Sequence, residues 1–240
     1  MTTASLTLRG NKTRSLTAAT FGFFFGAMSI SLFGPTAKGL ASSMGLSPFE
    51  VGLLVAVPSL SGSLLRIPFG ASVDVNGGSK SLKFLMICSV LGLLGLSWLF
   101  TSYYPNNMTG LYPALLGLGC LAGCGIATFS VGATQVSYWF PKKEQGFALG
   151  LFGGFATTSA GMMCIALPLM LANLGLVNAY YVITGVMIVG TILYFVLCAN
   201  APYFQAREAG LDEKAARDFA TTNGQELFPN LRVVKRALNS

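Results

Sequence analysis

The feature that most constrains this chain is a succession of long apolar segments. A helix needs roughly 20 apolar residues to cross a bilayer, and six segments of about this length or longer can be marked. They cover about residues 16–38, 48–72, 82–104, 110–140, 146–173 and 176–200. Only 10% of the 240 residues are charged and 53% are hydrophobic, whereas roughly 25% of residues are charged in soluble domains. The pattern therefore predicts an all-α membrane protein with six transmembrane helices.

The basic residues lie in short clusters on alternate loops, which predicts an orientation. One set of loops holds Arg9, Lys12, Arg14, Lys80, Lys83, Lys142 and Lys143, and the other holds Lys38 and Glu50. Cytoplasmic loops are enriched in Lys and Arg, so we expect both termini in the cytoplasm, in a multi-pass protein of the plasma membrane. The basic residues before the first apolar segment also fit a signal peptide, but the length of that segment favours a retained helix.

The distribution of apolar and charged residues along the chain predicts three parts. Residues 1–15 are predicted as a cytoplasmic N-terminal segment and residues 16–202 as the transmembrane bundle. Residues 203–240 carry charges at helical spacing and then a basic group, which indicates a cytoplasmic amphipathic segment.

Several classes of function are disfavoured by composition. The net charge is +7, but the placement of the basic residues fits membrane orientation better than nucleic acid binding. The five cysteines lie inside apolar segments, and the sequence has no histidine, so packing is the better interpretation than a metal site. No nucleophile–base pair stands out, and we expect neither an enzyme nor a cofactor.

Arg66 is the one clearly embedded charge in the predicted spans. It lies eight residues before Asp74, which places it about 12 Å from that end of the helix at 1.5 Å per residue. An intramembrane Arg costs at least ~2.5–3.5 kcal/mol and needs a partner or a wet cavity, and no Asp or Glu within the spans can pair with it. Arg66 could instead bond backbone carbonyls or extend toward the interface. The functional interpretation is that a transported anion is its partner, because the planar guanidinium matches a planar oxyanion.

A glycine-rich motif closes the second span. Gly70, Asp74, Gly77 and Gly78, followed by basic Lys80, resemble the G-x-x-x-D-x-x-G loop motif of the major facilitator superfamily; an ordinary glycine-rich turn is the alternative. The resemblance implies that Gly70 allows tight helix contact and that Asp74 bridges helix ends in one state of a rocking cycle. A valine occupies a position that is usually basic, which weakens the implied charge network.

Two longer stretches, residues 56–69 and 125–150, resemble the second, fourth and fifth helices of the NarK-type nitrate/nitrite porter family. The resemblance implies that Arg66 binds the substrate and that Phe129 forms an aromatic wall beside the anion, although spacing alone would favour simple packing for Phe129. In that family the fifth helix carries a glycine-rich signature with an asparagine close to the substrate. Gly154 lies in the matching stretch of this chain, and Thr157 occupies the asparagine position. A hydroxyl has one donor where an amide has two, so the identity of the anion stays open.

The family resemblance implies one six-helix half of a major facilitator fold, built from 3+3 inverted repeats. It also implies that residues 203–240 are the linker to a second half. The expected partners are a small inorganic anion such as nitrate or nitrite, the lipid bilayer, and a second six-helix half or another copy of the chain, with no nucleic acid. A carrier for a different small anion, or a non-transporting membrane scaffold that keeps the fold, is the alternative. The polarity of Arg66 and residues 157–159 further predicts that the second and fifth helices face each other across a polar cavity.

Overall fold

The computed structural model describes residues 7–229, and every regular element within them is a helix. In chain order these are α1 (Lys12–Ala27), α2 (Ala37–Met44), α3 (Pro48–Asn76), α4 (Gly78–Tyr103), α5 (Tyr112–Gly123), α6 (Thr128–Trp139), α7 (Lys142–Leu197), α8 (Pro202–Glu208) and α9 (Glu213–Thr222). Short 3₁₀ turns at Met28–Ser31 and Cys124–Ala127 extend α1 and join α5 to α6. The predicted all-α class is confirmed.

Four helical stretches of the described part are individually long and apolar enough to cross a membrane: Pro48–Asn76, Gly78–Tyr103, Tyr112–Trp139 and Lys142–Leu197. The last has 56 residues, or about 84 Å at 1.5 Å per residue, which far exceeds a hydrocarbon core of about 30 Å. It is divided at Gly175, whose backbone leaves the helical region with φ 76° and ψ 173°. The two parts correspond to the fifth and sixth predicted spans.

The first span starts earlier than the sequence suggested and ends differently. Asn11 caps α1 by accepting a hydrogen bond from the Arg14 backbone N–H at 2.8 Å, so the helix begins at Lys12 rather than near residue 16. Together α1 and the following 3₁₀ turn have a length of about 32 Å, which is enough to cross. Residues from Ala37 onward belong instead to α2, a separate eight-residue helix.

The second span begins close to its predicted start and extends beyond its predicted end. Ser47 and Glu50 form a capping box at the start of α3, which satisfies backbone donors that the helix leaves free. The helix continues to Asn76 and stops at Gly77, where φ is +76°. This conformation is readily adopted only by glycine, so the glycine of the motif sets the boundary between α3 and α4.

Within the bundle, α1 packs against both parts of α7 and against α6. On the other side, α3 packs against α5 and α6, and Gly62 makes this approach possible. An added Cβ at Gly62 would lie 2.5 Å from the Gly123 carbonyl oxygen and 2.5 Å from Ile126 Cβ. Small residues permit such close helix contacts in membranes, and this contact holds α3 against the end of α5 and the 3₁₀ turn that leads into α6.

The segment after the bundle forms α8 and α9, which pack against each other. Ala216 and Ala220 of α9 are buried, while Glu213 and Arg217 are exposed and pair at 3.0 Å. The helix between residues 213 and 222 therefore has one buried and one exposed face; the cytoplasmic placement of this segment stays a prediction. The predicted basic group, Arg232, Lys235 and Arg236, lies outside the described residues.

Candidate functional site

Arg66 occupies a half-buried position on α3. Within residues 7–229 it forms no ion pair, and its buried Nε has no hydrogen-bond partner. A buried unpaired donor costs on the order of 1–3 kcal/mol, and more for a charged group. The alternative in which backbone carbonyls satisfy this nitrogen does not hold in the described structure. The arginine is thus a charged donor group whose pairing is incomplete.

Phe129, at the start of α6, is the side chain that the structure places against Arg66. The guanidinium carbon lies 5.1 Å from the centroid of the Phe129 ring, within the range of a cation–π interaction. Such an interaction is worth about 0.5–1 kcal/mol when exposed and about 2 kcal/mol when desolvated. This is less than the ~2.5–3.5 kcal/mol cost of embedding an arginine. Phe129 therefore orients Arg66 without fully balancing its charge.

Phe129 is held in place by an aromatic cluster from three helices. Its ring centroid lies 5.0 Å from that of Phe23 on α1 and 5.8 Å from that of Phe152 on α7. Phe23 and Phe152 are almost fully buried. The packing role considered for Phe129 is therefore real, and the same ring also faces the arginine.

Gly154 and Thr157 lie on the exposed surface of the first part of α7. An added Cβ at Gly154 would meet no atom within 4 Å, whereas one at Gly153 would lie 3.8 Å from Phe129 Cε2. The first part of α7 therefore lies beside Phe129 at ordinary contact distance, with room for a small side chain at Gly153. The Thr157 hydroxyl donates to the Gly153 carbonyl at 2.6 Å, and among the described residues no hydrogen bond joins it to Arg66.

Asp74 of the glycine-rich motif is bridged to α6. The Tyr138 hydroxyl donates a hydrogen bond to Asp74 Oδ1, and Tyr138 also packs edge-on against Phe204 of α8, with ring centroids 5.2 Å apart. Hydrogen bonds to ionised groups are stronger than neutral ones. The contact links the end of α3 to the end of α6 and, through the tyrosine ring, to the segment that follows the bundle.

The glycines of the motif have different roles from those expected. An added Cβ at Gly70 would meet Ser130 Cβ at 3.6 Å, which is ordinary contact, so the tight approach expected there is absent from this structure. It occurs instead at Gly77 and Gly78, where an added Cβ would lie 2.7 Å from Asn200 Oδ1 and 2.8 Å from Gln135 Cβ. The turn, rather than the end of α3, is the crowded point.

Tyr138 and Gln135 were not identified as functional residues from the sequence. Gln135 is buried on α6; it donates to the Ala199 carbonyl at 3.0 Å and accepts from the Tyr194 hydroxyl at 3.1 Å. The signal that could have found both residues is their polarity inside a predicted span, since polar groups there need partners. Their partners lie up to 64 residues away in the chain, so periodicity alone does not reveal them.

Comparison with known proteins shows which family and which relatives this chain matches. A profile of the Major Facilitator Superfamily matches residues 19–237. The probable nitrate/nitrite transporter NarK2 of Mycobacterium tuberculosis is 28% identical over 175 residues, which cover 73% of this chain and 42% of that protein. The nitrate/nitrite transporter NarU of Salmonella typhimurium is 34% identical over 123 residues, covering 51% and 25%. The probable nitrate transporter NarT of Staphylococcus epidermidis is 28% identical over 191 residues, covering 78% and 46%.

The chain thus spans less than half the length of these relatives. A solved structure of the xylose transporter XylE from E. coli, in a partially occluded inward-open conformation, superposes with a TM-score of 0.69 at 14% identity. The superposition covers 95% of this chain and 57% of that one, so the likeness is one of fold. The six-span helical bundle, the matched residues and the motif at the end of α3 agree, and the chain is an integral membrane protein that belongs to the Major Facilitator Superfamily.

Proposed function

We propose that this chain forms one six-helix half of an alternating-access carrier for a small inorganic oxyanion, most simply nitrate or nitrite. Arg66 is the group that binds the anion. The observation that carries the proposal is the half-buried guanidinium with an unpartnered Nε and no ion pair within residues 7–229. A planar oxyanion supplies both the missing acceptor and the missing negative charge.

The surroundings of Arg66 support a small anion as the ligand. Phe129 holds the guanidinium from one side, and the aromatic cluster behind it excludes water, which strengthens electrostatic interactions at the site. The first part of α7 passes beside Phe129 at Gly153, at ordinary contact distance. Three relatives are named as nitrate or nitrate/nitrite transporters, in agreement with this chemistry.

Helix α7 can donate fewer hydrogen bonds to the anion than it could with an asparagine at position 157. Thr157 has a single donor, which the Gly153 carbonyl already accepts, so its hydroxyl offers a lone pair rather than a proton to the site unless it rotates. We propose that Gly154 and Thr157 line the substrate path, leaving Arg66 as the main source of affinity.

The conformational part of the proposal rests on the motif at the end of α3. The Tyr138–Asp74 hydrogen bond ties α3 to α6 and stabilises the arrangement seen here, and Gly77 and Gly78 allow the tight turn beside it. The complete site lies between this bundle and a second six-helix half, or another copy of the chain, as in carriers whose substrate sits between two repeats near the midplane. The proposed orientation, which rests on the distribution of basic residues, places both termini in the cytoplasm of a plasma-membrane protein.

The first test is anion-dependent stabilisation of the purified chain. Nitrate, nitrite, chloride and sulfate are compared at equal ionic strength, with the midpoint of thermal unfolding as the readout. A ligand at 100 times its Kd stabilises the folded state by about 2.7 kcal/mol. Arg66→Ala should remove the nitrate effect. Arg66→Lys keeps the charge but loses the planar guanidinium that can donate two parallel hydrogen bonds. Losing one charge-assisted hydrogen bond of ~1.5–3 kcal/mol weakens binding about 10–150-fold.

Lys143→Ala is the matched control, because Lys143 is an exposed basic residue on α7 outside the proposed site. It should bind nitrate as the unmodified chain does. Uptake of nitrate or nitrite into vesicles that contain the complete two-half assembly is the second test. Full uptake by Arg66→Ala at unchanged expression would mean that the arginine is structural and that the proposal is wrong.

A further inference from the structure

A cleft of about 470 Å³ opens where the N-terminal segment meets α8, and Arg66 is not among the residues that line it. It is formed by the N-terminal segment, the start of α4, the end of α7 and α8. The side chains that matter for its chemistry are Arg9, Ser79, Lys80, Lys83, Asn200 and Glu208.

The cleft carries an excess of positive charge. Its three basic side chains face one acid, Glu208, which pairs with Lys80 at 2.9 Å. Within residues 7–229, neither Arg9 nor Lys83 forms an ion pair. The positive end of the α4 dipole adds to the charge, since Ser79 and Lys80 belong to the first turn of that helix and a helix start favours nearby negative charge.

The walls of the cleft are held by specific hydrogen bonds. The Arg9 backbone N–H donates to Gln205 Oε1 at 2.9 Å, and Gln205 Nε2 donates to the Arg9 carbonyl at 2.8 Å. Asn200 Oδ1 accepts from the Ser79 N–H at 2.9 Å. The N-terminal segment is thereby fixed against α8, so that its arginine stays at the cleft.

An exposed apolar surface begins directly beside the cleft. Lys83 Nζ lies 5.1 Å from the centroid of the Phe195 ring, and Phe195 is itself 42% exposed. The surface continues along α4 and the second part of α7 through Phe84, Ile87, Leu91, Ile192 and Val196, which are all exposed. A basic cleft at a helix end, joined to an apolar face, is complementary to an anionic phospholipid: the cleft matches the charged headgroup and the face matches the acyl chains.

We propose that this cleft binds the phosphate of an anionic phospholipid, whose acyl chains lie along α4 and the second part of α7. A free phosphate has the same charge but gains nothing from the apolar surface, so the continuity of the two surfaces favours the lipid. This site is separate from Arg66, and its occupancy does not depend on the transported anion.

The test uses the full purified chain in a neutral detergent, with bound lipids counted by native mass spectrometry. Phosphatidylglycerol and phosphatidylcholine with identical acyl chains are compared, and inorganic phosphate is added in a third arm. The unmodified chain should retain phosphatidylglycerol in preference to phosphatidylcholine. Arg9→Gln with Lys83→Gln should reduce that preference at least about tenfold, since each basic residue near an anionic lipid contributes about 1 kcal/mol, a factor of about five.

Two controls make the result specific. Lys143→Gln removes an equal charge from an exposed position outside the cleft and should leave the preference unchanged. Arg9→Lys with Lys83→Arg keeps both charges and should also keep it. The proposal is overturned if the double glutamine variant, folded by circular dichroism, retains the preference, or if Lys143→Gln loses it equally. Inorganic phosphate that displaces the lipid at equal concentration would identify a site for free anions instead.

Discussion

Replacing Gly62 by alanine should push α3 away from α5 and from the 3₁₀ turn before α6. The added Cβ would lie 2.5 Å from both the Gly123 carbonyl oxygen and Ile126 Cβ, against an ordinary contact distance of 3.4–4 Å. Neither obstacle is the far end of a flexible side chain: one is backbone and the other is a Cβ atom. The helices must therefore separate by about 1 Å.

The cost follows from the packing of the interface. Overpacking a close contact costs about 1–3 kcal/mol. In a domain of 150–250 residues each kcal/mol lowers the unfolding midpoint by about 2–4 °C, so the expected loss is about 2–12 °C. Gly62 lies one helical turn before Arg66, so the same displacement moves the guanidinium relative to Phe129. We therefore expect weaker nitrate-dependent stabilisation in this variant.

The assay is thermal unfolding of the purified chain in detergent, with and without nitrate. Gly52→Ala is the matched control, because it lies on the same helix and an added Cβ there meets no atom within 4 Å. It should unfold at or above the midpoint of the unmodified chain, since alanine is the better helix former. If Gly62→Ala is as stable as Gly52→Ala and keeps the full nitrate effect, the close approach of α3 does not position Arg66 and the reasoning fails.

Three further predictions concern other parts of the chain. Tyr138→Phe removes the hydrogen bond to Asp74 and should destabilise the folded chain by about 1.5–3 kcal/mol, measured by chemical unfolding; an unchanged stability would refute that bridge. Thr157→Asn supplies two amide donors and should tighten nitrate binding in the thermal-shift titration, whereas equal or weaker binding would argue against a place on the substrate path. Cysteines placed at Asn106 and at Ser240, the latter outside the described residues, in a background lacking the native cysteines should label from outside and inside the cell respectively. External modification at Ser240 would overturn the predicted orientation.

Much of the architecture could be predicted from the chain itself. The length of a span is fixed by the bilayer and the local run of apolar residues, so the number of spans and the break near Gly175 were readable from the sequence. Boundaries were less accurate, as at the start of α1 and the end of α3, because they depend on caps and on single glycines rather than on hydrophobicity. The family resemblance at the motif and at Arg66 is likewise a property of local sequence.

The contacts that define the site were decided only by tertiary structure. The sequence determined that Arg66 is an embedded charge without a carboxylate nearby. The contact between Arg66 and Phe129 and the hydrogen bond between Tyr138 and Asp74 each join residues 63 or 64 positions apart in the chain. These contacts form only because the helices meet in the folded bundle. The same holds for the basic cleft, which joins the N-terminal segment to α4 and α8. Composition and periodicity fix how each helix meets the membrane, but which side chains face one another depends on helix rotation and close approach, which the small residues at the crossings, such as Gly62, permit.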